Sequence, residues 1–233
     1  MLSYMLTNGS GDLKSWLISF LLTLPIAMIS LSVHETAHGY IAYKLGDPTA
    51  RNLGRLTLNP LKHLDPIGFL CMILGGFGWA KPVPINARYF KNPRRGMAIT
   101  GIAGPISNIL LAFIFVFIQQ VLYAILKDVV FTTEMSYYVA LISLQFFSLA
   151  AYMNVALAIF NMIPIPPFDG SRFIYVFLPP KFYFGIMKYE RIIMIVLLLL
   201  LVTGFLDTPL NIATNFVLNG IYQLWELIPL FAQ

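Results

Sequence analysis

The sequence predicts an all-α membrane protein, a polytopic bundle of four to five transmembrane helices with a re-entrant, β-hairpin-like segment between the first two. Three observations lead there. Of the 233 residues, 58% are hydrophobic and only 11% charged, against about 25% charged in an ordinary soluble domain. Apolar runs of the roughly 20 residues needed to cross a hydrocarbon layer about 30 Å thick recur along the chain. The basic residues also fall in blocks, with nine of the fifteen Lys/Arg between Lys44 and Arg95 and four more between Arg172 and Arg191.

The apolar runs place helix 1 at about residues 15–45, helix 2 at 97–126, helix 3 at 136–161 and helix 4 at 188–206. All belong to one integral-membrane domain, residues 1–233. Met1 to Lys14 lacks the basic start and small-residue cleavage site of a signal peptide, so the first run is expected to be retained. Both basic blocks should face the cytoplasm of a cell-membrane protein, with the N-terminus and the short Lys127–Met135 connection outside. Helix 1 then runs inward, 2 outward, 3 inward and 4 outward. Positive charge is a topology signal here, and nucleic acid is not an expected partner.

Between residues 46 and 95 the pattern changes to Gly75-Gly76, Gly78, Pro82 and Pro84 with short β-branched or aromatic runs. Fifty residues are too many for a bare connection. Ile67 to Trp79 is apolar but broken by glycine, so it is expected to dip into the membrane and return, followed by a strand around Lys81 to Asn86. Non-helical backbone survives at that depth only where protein or a wet cavity satisfies its polar groups. Residues 209–231 mix apolar residues with Asn211, Asn215, Asn219 and Glu226, which fits either a fifth span or an amphipathic surface helix. Cys71, the single cysteine, excludes an internal disulfide and a Cys-x-x-Cys metal site; packing is its expected role.

The chemistry sits in helix 1, whose apolar run ends in His34-Glu35-Thr36-Ala37-His38. Histidines at i and i+4 share a helix face and can hold one Zn²⁺, with Glu35 beside them free to take a proton from water. Ionisable groups within a bilayer cost about 2.5–3.5 kcal/mol each on insertion scales, so three together need a compensating reason. Metal coordination supplies it. A zinc hydrolase wants three protein ligands and one open position. His63 lies among interfacial residues and is the weaker candidate for the third. Asp169 is the better one, because it follows helix 3 in a proline-broken run, Asn161-Met162-Ile163-Pro164-Ile165-Pro166-Pro167-Phe168-Asp169-Gly170, at the same cytoplasmic level as His38.

HETAH and NMIPIPPFDG, in this order, spacing and topology, resemble the two metal-binding signatures of the site-2 proteases, intramembrane zinc metalloproteases. The likeness extends through KPVPIN and GPISN, over roughly residues 16–172. It implies one Zn²⁺ on His34, His38 and Asp169, Glu35 as catalytic acid/base, and single-span transmembrane proteins as substrates within the lipid bilayer. Asn161, and less strongly Asn154 seven residues before it, could hydrogen-bond substrate backbone or the developing oxyanion. Val83 and Ile85 could add an extended substrate to the Lys81–Asn86 strand, main chain to main chain. Gly104 and Asn108, with Gly101 and Ser107, form a small-residue seam on helix 2 that favours close packing near the site.

Many members of that family insert a PDZ domain or append a CBS domain, and neither pattern is present in these residues. Two rival classes compete with the endopeptidase. A metal transporter could use the same four side chains as a transit site, but no second ligand cluster marks an exit path. A non-catalytic scaffold would have no use for Glu35.

Overall fold

The computed structural model describes residues 13–75 and 78–228. The expected outward N-terminus, residues 76–77 of the segment expected to dip into the membrane and the last residues of the expected 209–231 helix lie outside them. Within them the protein is an all-α, polytopic membrane protein with three helices of membrane-spanning length and composition, or four if one bent pair is a single span. The chain forms two compact units, Met1–Gly104 and Pro105–Gln233.

The first unit is built on α1 (Leu13–Lys44), 32 residues and about 48 Å long. Ile26, Ser30, His34, His38 and Ala42, four residues apart, are all buried, so the metal-binding motif lies on a face that the fold covers. The helix ends where Gly46 takes φ 108°, a left-handed turn open to glycine. Short helices α2 (Thr49–Asn52), α3 (Pro60–His63) and α4 (Pro66–Gly75) follow. Ten residues of α4 cover about 15 Å, half of a hydrocarbon core.

The expected strand at Lys81–Asn86 is extended chain with no regular ladder; one isolated antiparallel bridge, Leu64 to Ala80, precedes it. Its two prolines remove donors that a ladder would need. After a 3₁₀ turn at Ala87–Tyr89, α5 (Pro93–Leu126) begins four residues before the expected start. Asn92 caps it by accepting from the Arg95 N–H at 3.2 Å, and Pro93 occupies the first turn, where an N–H is not required.

The second unit holds the rest of α5, then α6 (Glu134–Asn161), α7 (Asp169–Ile174), α8 (Pro180–Met187), α9 (Glu190–Val202) and α10 (Asp207–Glu226). Thr133 caps α6 by accepting from the Ser136 N–H, and the buried face of α6 is largely alanine, which lets neighbours approach closely. α10 packs against α6 and has Thr214, Leu218 and Ile221 buried, and Tyr152 donates to Asn211. α9 and α10 meet at 83°. The 13 residues of α9 cover only about 20 Å, so helix 4 is shorter than the 188–206 expected, and α10 begins two residues before the 209–231 helix expected there.

Candidate metal centre

His34 and His38 project from one face of α1, each 4% exposed, with their Nε2 atoms 3.0 Å apart. The His38 Nδ1 lies 2.7 Å from the carbonyl of Thr100 on α5. A carbonyl only accepts, so Nδ1 carries the proton and Nε2 presents its lone pair, the tautomer a metal ligand requires. Opposite the two rings stands Gly104. A Cβ there would fall 2.4 Å from His38 Nε2 and 2.6 Å from His34 Nε2. The space in front of both nitrogens exists because residue 104 has no side chain.

Asp169 opens α7 and is 8% exposed. The run before it folds by its own contacts: Phe168 N–H donates to Ile165 O at 3.1 Å, and the Ser171 hydroxyl donates to Phe168 O at 2.7 Å. Gly170 lies so close to the end of α6 that a Cβ would come within 2.3 Å of Met162 O. Arg172 sits 3.7 Å from the Asp169 carboxylate.

One ligand atom each from His34, His38 and Asp169 lie within 4.8 Å of one another. Two neutral imidazole nitrogens and a carboxylate oxygen are the donor set of catalytic zinc, with fewer protein ligands than the metal's four positions. The residues fit a single Zn²⁺. Glu35 stands beside them on α1, its Oε2 accepting from the Val83 N–H at 2.7 Å.

The remaining expected site residues make other bonds. Asn154 and Asn161 donate their amide N–H groups to Ala150 O and Leu157 O of their own helix, at 2.8 and 2.9 Å. Asn108 is fully buried. Val83 is buried and Ile85 half-buried, and the Val83 N–H is spent on Glu35. His63 is anchored away from the metal ligands, its Nε2 2.7 Å from Thr57 O; Thr36 donates to the same carbonyl at 2.7 Å.

Sequence reasoning missed three residues that shape the site. Thr100 supplies a backbone carbonyl, which any residue type carries, so nothing in the sequence marks it. Asp47, fully buried, accepts from the Thr49 N–H at 2.9 Å and from the Asn86 N–H at 2.6 Å. Arg55 donates to Lys81 O at 2.7 Å. The only available signal was an acid and a base inside a block read entirely as topology.

Comparison with known proteins agrees with this geometry. The chain is 41% identical over 203 residues to the "Putative zinc metalloprotease YwhC" of Bacillus subtilis, covering 86% of this chain and 83% of that one. It is 24% identical over 214 residues to the "Putative zinc metalloprotease Rip2" of Mycobacterium tuberculosis, 89% and 74% of the two chains. With "Zinc metalloprotease MJ0392" of Methanocaldococcus jannaschii it shares 25% over 177 residues, 76% of this chain and 38% of the other. No solved structure matches it significantly. The family model for "Peptidase family M50" matches residues 22–204, both metal-binding motifs included, and the chain belongs to that family.

Proposed function

We infer that this protein is an intramembrane zinc metalloendopeptidase that hydrolyses peptide bonds of membrane-spanning proteins near the cytoplasmic leaflet. One observation carries the reading: two histidines from a helix of membrane-spanning length and an aspartate beyond another offer ligand atoms within 4.8 Å of one another. Clustered Lys/Arg after α1 and around α7–α9 support a cytoplasmic-facing site with the N-terminus outside. The short, apolar α4 supports a re-entrant segment.

Bound zinc would supply a Lewis acid that acidifies water and polarises the scissile carbonyl. Glu35 takes the proton of the attacking water and returns it to the departing amine. His38, fixed by Thr100, keeps its ring from turning away. Asn161, with Asn154 as the weaker candidate, would exchange its bond to the helix for one to substrate backbone or oxyanion. An extended substrate would meet this segment at Ile85, which is half-buried, since Val83 is buried and its N–H is spent on Glu35.

Glu35→Gln tests the reading. A quenched-fluorophore single-span peptide should lose cleavage by about 10²-fold to 10⁴-fold, with one zinc per chain retained. Altered zinc flux across proteoliposomes would point to a transporter, and no change in either assay to a scaffold.

A further inference from the structure

Pro82 and Pro84 have no N–H, so Lys81–Asn86 has four backbone donors. Three are engaged within the first unit. Lys81 donates to His63 O at 2.8 Å, Val83 to Glu35 at 2.7 Å and Asn86 to Asp47 at 2.6 Å. At the near end Arg55 also holds Lys81 O at 2.7 Å. The middle is pressed onto α1 at Gly39, one turn beyond Glu35, where a Cβ would lie 3.1 Å from Val83 Cγ1. Both ends and the centre of the segment are fixed, and its one central donor meets the carboxylate that performs the chemistry.

We propose that Lys81–Asn86 is a positioning device for the general base: Val83 holds Glu35 through its N–H, and Asp47 and Arg55 hold Val83 in register. An untethered glutamate samples several rotamers, and ordering such a side chain costs conformational entropy. A charge-assisted bond from a pinned amide removes that cost before substrate arrives. One carboxylate oxygen is fixed, and the other stays free for water. The proposal rests on Glu35 being the general base. It assigns the Val83 N–H to the enzyme's own acid, and so differs from a substrate-pairing role for that group.

The two assignments part on Val83→Pro, which deletes the N–H. Positioning predicts a fall in kcat of at least tenfold on the quenched single-span peptide, KM within about threefold, and one zinc per chain. A raised KM with kcat unchanged would overturn it in favour of substrate pairing, and unchanged kcat and KM would overturn it outright. Should Val83→Pro fail to fold, Arg55→Met should lower kcat with zinc retained, and Arg55→Lys, still a donor to Lys81 O, should restore most of it; equal activity of all three Arg55 forms would sink the idea. A second readout needs no turnover. In metal-free protein in detergent, Glu35→Ala should speed amide hydrogen exchange at Val83 by tenfold or more while leaving Lys81 and Asn86 protected. Equal exchange at Val83 would refute the bond even if the peptide is never cleaved, whereas fast exchange in a protein that cleaves nothing would count against the function alone.

Discussion

The two arms of the metal centre are held in different ways. The histidine arm depends on partners distant in sequence: Thr100 is 62 residues from His38, Val83 is 48 from Glu35, and Gly104 belongs to another helix. The aspartate arm is local. Gly170 against Met162, Ser171 on Phe168 and Arg172 beside Asp169 all lie within a dozen residues. A helix presents histidines at fixed spacing but leaves ring rotation open, so tautomer and tilt must be set from outside. A proline-broken turn fixes its own carboxylate, because its backbone has few alternatives. The histidine arm should therefore be sensitive to mutations far away in sequence, and the turn of the aspartate arm to mutations nearby.

The largest effect expected of this comparison is at Gly104. Adding one methyl group in Gly104→Ala places carbon 2.4 Å from the His38 Nε2, a clash that only displacement of the imidazoles relieves. Zinc affinity should fall by at least about a hundredfold, at the upper edge of what outer-shell changes do, while helix content by circular dichroism stays the same. Competitive chelator titration measures it. Wild-type affinity in Gly104→Ala would mean that the rings are not confined by α5, and the first half of the comparison would be wrong.

Gly170→Ala comes next. Its Cβ would meet the Met162 carbonyl at 2.3 Å, a backbone atom that cannot swing aside, so the start of α7 must move off the end of α6. Overpacking of this kind costs about 1–3 kcal/mol, and zinc should weaken by about tenfold as Asp169 shifts. Limited proteolysis should locate the disturbance between residues 162 and 175. Changes at α1 instead would show that the arm is not local.

This division also explains what could be read in the sequence. Helix 1, the i and i+4 histidines and the DG turn were legible because each is a local pattern: an apolar period, a spacing, a cluster of prolines. The course of Lys81–Asn86 was not, since it is decided by Asp47, Arg55 and Glu35 reaching across 26 to 48 residues. Alternating Val83 and Ile85 between prolines looks like an edge strand, yet its donors face helices and side chains. A boundary between helix 4 and the last helix was legible at residues 206–209, but its 83° angle, set beside Gly204 at φ 72°, was not.

The smallest effect concerns Arg172, and it tests whether the aspartate arm is held by backbone alone. Its guanidinium lies 3.7 Å from the Asp169 carboxylate, beyond hydrogen-bond range, and its side chain is 32% exposed. Water and salt therefore screen the pair, and such pairs contribute at most about 1 kcal/mol. Arg172→Met keeps the aliphatic stem and removes the charge, so zinc affinity should change by less than about fivefold, and the difference should shrink as ionic strength rises from 50 to about 500 mM and the Debye length falls. A loss above tenfold that salt does not reduce would make the charge a brace for Asp169. The turn would then need help from a side chain to aim its carboxylate, and the contrast between a self-sufficient arm and a supported one would fail at its weaker end.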